Sequence, residues 1–220
     1  MTIKTPGVAD LMVKDLLKPV EERYVHSIMS TEHGGVLIFT FFSYLLALIH
    51  KALTIQVDTT FKRTAGDINE WEIVIWYREL QRGVIHSISG LFLNLYTILA
   101  VTIGRVYSNR SDRAQYKAIF DELQRLTHML TGKKLRLKRL SKEGTLLSIG
   151  VDLELAQVLG AGDSFLPTNE PEFSGITTKE PGEIVKYFVR ACRAHVKRYE
   201  SQFYHCIYNN IHSASGGSTI

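Results

Sequence analysis

The sequence predicts an α/β domain built on a mixed sheet, and three observations carry that prediction. Short runs rich in β-branched and aromatic residues recur in the first half, a long run of helical spacing follows, and a further apolar run comes after it. The 220 residues are 45% hydrophobic with a mean hydropathy of -0.01, a balance that buries a real core.

Each element follows from its local pattern. Residues 10–30 have helical spacing, with Leu11, Leu17, Val20, Tyr24 and Ile28 near one face, although Pro19 must begin or kink a helix. Gly34 and Gly35 then break the chain. Residues 53–61 (LTIQVDTTF), 70–77 (EWEIVIWY) and 102–108 (TIGRVYS) are composed and sized as strands. Between the first two, residues 64–69 (TAGDIN) supply the Gly and Asp of a hairpin turn, so the centre reads as an antiparallel meander.

A helix is expected over residues 112–130, with Ser111 as N-cap, Tyr116, Ile119, Phe120, Leu123, Leu126, Thr127 and Leu130 at helical spacing, and Gly132 as its end. Residues 133–142 (KKLRLKRLSK) alternate leucine with basic residues and read first as a solvated edge, second as a DNA-contacting strip. Residues 145–151 (TLLSIGV) read as a buried strand ending in Asp152. Three of the five prolines fall in an irregular connection over 166–181, before a long amphipathic helix from Glu183. Three antiparallel strands, a helix, a fourth strand and further helices are the skeleton of the ribonuclease H fold.

Composition narrows the function classes. Lys and Arg total 26 against 22 acids, a net charge of +4 and a pI near 9.0, which suits a polyanionic partner but falls short of a histone-like binder. Cys192 and Cys206 are the two cysteines, and the amino terminus has no charged-then-apolar signal pattern. A nuclear or cytoplasmic, reducing setting is therefore expected. Residues 36–49 (VLIFTFFSYLLALI) are too few to span a bilayer, and residues 85–103 reach that length but contain His86, Ser87, Ser89, Asn94 and Thr97; no membrane is expected.

The residues that suggest chemistry are two aspartates. Asp58 falls late in the first strand of the meander and Asp152 at the end of the fourth, and in such a sheet those strands are neighbours. Hard divalent cations take oxygen ligands, and shared carboxylates serve phosphodiester cleavage. Each aspartate alone also reads as structural, Asp58 capping a turn and Asp152 capping the following helix. Their placement together makes them the candidate site.

Residues 57–76 (VDTTFKRTAGDINEWEIVIW) resemble the first-aspartate region of Mutator-like DDE transposases, of a kind widespread in fungi. Residues 34–52 (GGVLIFTFFSYLLALIHKA) resemble the segment before the catalytic strand, and 101–110 (VTIGRVYSNR) the third strand. Residues 150–165 (GVDLELAQVLGAGDSF) resemble the second-aspartate region, and Cys192 with His195 match the C-x-x-H pair that follows it. The resemblance covers most of residues 16–198. It implies Asp58 and Asp152 as catalytic metal ligands for Mg²⁺ or Mn²⁺, DNA as partner, and a homo-oligomer as a further possibility. For Cys192 and His195 two readings stand: a zinc site drawn with His205, Cys206 and His212, whose spacing fits no standard finger, and plain core packing of Cys192. Lys62, Arg63, Lys133, Lys134, Arg136 and Lys138 are nominated for DNA, from proximity to the aspartates and from clustering.

The sequence departs from the family in two ways. The third acid, a glutamate expected far beyond the C-x-x-H pair, finds no counterpart, and nothing around Glu200 supports that role, so the ribonuclease-H-like domain is expected to be incomplete and catalytically deficient. Residues 85–101 read as an insertion: removing them joins LQRGV to TIGRVYSN. A short intron translated in frame accounts for it, since Gly83 and Val84 can encode a GT donor and Ala100 and Val101 an AG acceptor. Arg198–Ser201 can encode a second donor, which makes the tail from Tyr199 intronic as well. The expected layout is a helical and apolar segment over 1–50, a partial transposase domain over 51–198, and a tail over 199–220 without a selected fold. Two other classes compete, a non-enzymatic remnant or interaction module with structural aspartates, and a small membrane protein.

Overall fold

The computed structural model describes residues 6–31, 34–60, 68–77, 99–152 and 154–191. Within them the chain is α/β, with a mixed seven-stranded sheet. The chain order is helix α1 (Pro6–Leu16), strands β1 (Val25–Thr31) and β2 (Gly35–Thr40), helix α2 (Ser43–Leu46), and strands β3 (Thr54–Thr60), β4 (Asn69–Tyr77) and β5 (Leu99–Ser108). Helix α3 (Arg113–Thr131), strand β6 (Ser148–Val151), helices α4 (Leu155–Phe165), α5 (Pro171–Ser174) and α6 (Pro181–Ile184), and strand β7 (Val189–Ala191) complete it.

Spatially the strands run β1-β2-β5-β4-β3-β6-β7. The expected meander is present: β3 pairs antiparallel with β4, and β4 antiparallel with β5. After α3 the chain returns to lay β6 parallel to β3, and β7 follows parallel to β6. The β1–β2 hairpin adds to the free edge of β5 through β2.

Alternation along the central strands decides which face holds the core. Ile55, Val57, Trp71, Ile73, Ile75, Ile103 and Val106 are buried, whereas Gln56, Asp58, Glu72, Val74, Arg105 and Tyr107 are half-buried on the other face. Helix α3 covers the apolar face with Tyr116, Ile119, Phe120, Leu123 and Leu126, and Tyr116 meets Trp71 edge-on at 5.8 Å. Strand β6 is flanked on both sides and all four of its residues are buried.

Three expectations are corrected. The helix over residues 10–30 is instead α1 followed by β1: past Pro19, Val25–Thr31 pairs with the apolar β2, and that partner outweighs a helical spacing in which Tyr24 and Ile28 fell by coincidence. The long helix from Glu183 is α6, one 3-10 turn and then β7, because Val189–Ala191 pairs in parallel with the edge of β6 that β3 leaves open. The N-cap of α3 is Asp112 rather than Ser111, with its carboxylate accepting the Gln115 N–H at 3.0 Å. Gly132 does end that helix, at φ 70° with its N–H on His128 C=O.

The apolar run 36–49 divides into β2 and short helical turns whose Leu37, Phe39, Phe41, Leu46 and Ile49 are buried. Among the described residues no helix is long and apolar enough to cross a membrane. Strand β5 begins at Leu99, so Leu99, Ala100 and Val101, read above as the end of an insertion, pair with Tyr77, Trp76 and Ile75. The rest of that stretch, 85–98, and the tail over 199–220 lie outside the described residues.

Candidate active site

The parallel register of β3 and β6 builds the site. Its last pair is Val57 with Val151, so the next residues are Asp58, two short of the end of β3, and Asp152, just past β6, toward the carboxyl ends of two adjacent strands. In open α/β sheets that is where ligands are bound. Both aspartates are half-buried, and Oδ1 of Asp152 is shielded from solvent. Gln56, on the same face of β3, donates from Nε2 to Asp58 Oδ2 at 3.2 Å.

Helix α4 starts just beyond Asp152, and the third residue of that helix, Gln157, is fully buried. Its Oε1 accepts the Asp152 N–H and its Nε2 donates to Val57 C=O, both at 3.0 Å. Glu154 is drawn elsewhere: the buried Tyr116 hydroxyl donates to its Oε2 at 2.5 Å.

The polar row continues across the sheet. Asp58 lies opposite Glu72 on β4, Glu72 opposite Arg105 on β5, and Arg105 opposite Thr40 on β2. The Arg105 guanidinium bridges Glu70 Oε1 at 3.1 Å and Glu72 Oε1 at 3.4 Å. Burial pushes the Tyr107 phenol above its ordinary value, and the Glu70 carboxylate beside it adds to the rise. Asp58 and Asp152 thus adjoin each other on neighbouring strands, while Glu70 and Glu72 of β4 share Arg105. Among the described residues no group of three or more His, Cys, Asp or Glu side chains is placed to hold a metal ion.

The structure brings Asp58 and Asp152 together, and it does not bring the basic segment to them. Lys133, Lys134 and Lys138 are exposed, but their segment leads into the amino end of β6, opposite the end that carries Asp152. His50, just before β3, bonds Thr131 at the carboxyl end of α3 at 2.8 Å and marks the same far edge. Arg136 is half-buried, with Nη1 donating to Thr168 C=O at 3.2 Å. Lys62, Arg63, Cys192 and His195 lie outside the described residues.

Sequence reading overlooked Gln157, Glu72 and Arg105. The β3–β4 register, which puts Glu72 across from Asp58, does not follow from counting outward from residues 64–69, whereas an amide early in the apolar helix LAQVLGAGDSF is itself a signal. Comparison of the chain with protein-family models, with curated proteins and with solved structures returned no match.

Proposed function

We propose that the chain is part of a Mutator-like DDE transposase with a ribonuclease-H-like domain, in which Asp58 and Asp152 jointly hold Mg²⁺ or Mn²⁺ near DNA. One observation carries this reading: the β3–β6 register that sets the two aspartates side by side at the strand ends. The strand order β5-β4-β3-β6-β7, three antiparallel strands joined through α3 to two parallel ones, supports the fold assignment.

The donor set fits a hard cation: two carboxylates, one oxygen shielded from water, and no soft ligand in the described surroundings. When bound, the ion supplies Lewis acidity for attack of water, and then of a DNA 3′ hydroxyl, on a phosphodiester. The protein's own part is to keep both carboxylates oriented and partly dry. With two of the three acids that the resemblance implies, the chain binds the cation weakly and strand transfer by these residues alone is not expected. DNA is held through its backbone, with Lys133, Lys134 and Lys138 as exposed cations at the far edge and Arg136 set back against Thr168. At ~3.3 Å per residue the 7 residues of β3 span about 23 Å and the 4 of β6 about 13 Å, so a duplex turn of about 34 Å reaches both edges.

A second reading, a non-enzymatic module with structural aspartates, is favoured by the Gln56 bond to Asp58. Titration of the full chain with Mn²⁺, following free ion by electron paramagnetic resonance, separates the two. Asp58→Asn and Asp152→Asn are each expected to weaken binding by about tenfold or more while circular dichroism stays unchanged. Equal binding by wild type and both variants would remove the aspartates from any metal site.

A further inference from the structure

The last rung between β3 and β6 is not a direct backbone bond. In a parallel ladder, a bonded residue's C=O accepts from the residue after its partner. Ile149 N–H turns to Phe188 C=O on the β7 side at 2.9 Å, so residues 150 and 152 turn toward β3, and that parity would carry Asp152 N–H to Val57 C=O. Gln157 stands between those two groups instead, accepting from Asp152 N–H and donating to Val57 C=O.

A primary amide carries the donor and the acceptor of a peptide group. Through its two bonds it ties Val57 of β3 to Asp152 beyond β6 by way of one buried side chain. The two groups that it bridges flank the candidate ligands directly: Val57 C=O belongs to the peptide bond that leads into Asp58, and the N–H is that of Asp152 itself. Gln157 is 0% exposed, so water does not compete for either bond. Its helix is fixed in turn, since Gly160 lets α4 press against α3 at Tyr116.

An apolar residue at 157 would pack without desolvating an amide. The strand ends would then close to direct pairing, about 4.8 Å between strands. A buried amide that prevents this closure serves spacing rather than burial.

We infer that Gln157 is a positioning residue, whose side chain sets the separation of the Asp58 and Asp152 carboxylates for a single divalent cation. The inference rests on the reading above that those carboxylates hold Mg²⁺ or Mn²⁺. Gln157→Met keeps the length and helix preference of the side chain but removes both bonds. In the full chain, with Mn²⁺ as the probe, the variant should bind about tenfold or more weakly at temperatures where its circular dichroism matches wild type.

Retained affinity in folded Gln157→Met, together with loss in Asp58→Asn, would overturn this inference and leave the metal site standing. Absence of Mn²⁺ binding by wild type would overturn the metal reading and this inference with it. Should Gln157→Met not fold, wild type decides: Mg²⁺ should shift the Gln157 side-chain amide and Asp152 backbone amide resonances. Signals unmoved at saturating Mg²⁺ would overturn the assignment.

Discussion

A Cβ placed at Gly160 of α4 would lie 2.6 Å from the Cβ of Tyr116 on α3. Backbone is almost as near, with Lys117 N at 2.8 Å and Arg113 O at 2.9 Å, so no side-chain rotation relieves the contact. Alanine normally gains about 1 kcal/mol over glycine inside a helix. Overpacking costs about 1–3 kcal/mol, and backbone contacts of this kind put Gly160→Ala at the upper end. A lower urea midpoint with unchanged slope is expected; a raised midpoint would mean that the two helices separate freely.

Asp15 closes the corner between α1 and β1. Its carboxylate accepts from Lys18 Nζ at 2.5 Å, from Val25 N–H at 2.8 Å and from Tyr24 N–H at 2.9 Å, which hold it at about 2, below its ordinary 3.8. Because the folded value is depressed, this contribution is complete above 3.8 and is lost as pH falls toward 2. Asp15→Ala leaves the Val25 N–H buried without that acceptor and should cost about 1–3 kcal/mol near neutrality. Chemical denaturation of both proteins should show the gap narrowing over that acid window. A gap that stays constant with pH would exclude the carboxylate as its source.

The regions around Gly160 and Asp15 are unequally visible in the sequence. The meander, α3 and the approach to Asp152 were readable because each carries its own period: EWEIVIWY alternates, and Tyr116 to Leu126 recurs at helical spacing. The adjacency of Asp58 and Asp152 follows from the strand order, one residue past the Val57–Val151 pair. By contrast, β1 and β7 are specified by partners. Val25–Thr31 becomes a strand by lying on β2, and Val189–Ala191 by lying on β6, and neither contact is encoded in the segment's own periodicity. Gln157 shows in the sequence only as an amide within an apolar helix, since its role lies in two backbone groups, one of them 100 residues away.

His26 offers a second acid-sensitive point. Its ring stacks on Phe41 at 4.3 Å with 6° between planes, and burial lowers its pKa below the ordinary 6.5, with the Arg23 and Phe41 backbones opposing. The unfolded chain therefore takes up the proton first, and stability drops as pH falls below 6.5. His26→Phe keeps a stacked ring without the titration. Between about pH 7.5 and about pH 5.5 the wild-type melting temperature should fall further than that of the variant. Parallel declines would show that His26 stays neutral in both states or charges without cost.

The basic segment separates an electrostatic DNA surface from a solvated edge. Lys133, Lys134 and Lys138 are exposed, while their neighbours Leu135, Leu137 and Leu140 are buried and pin the backbone. Glu170 fixes the following turn through Ser141 Oγ at 2.7 Å and Lys142 N–H at 3.0 Å. Replacing the three lysines by alanine should therefore leave the fold intact. Each phosphate contact contributes about 0.9 to the slope of log affinity against log salt, so the triple variant should lose up to about 2.7 from that slope on nonspecific duplex. Fluorescence anisotropy over a salt series measures it. Arg136→Ala serves as contrast, because loss of its bond to Thr168 C=O should lower stability more than it changes the slope. If the triple variant keeps the wild-type slope, the lysines are surface charge, and any DNA contact lies elsewhere on the chain.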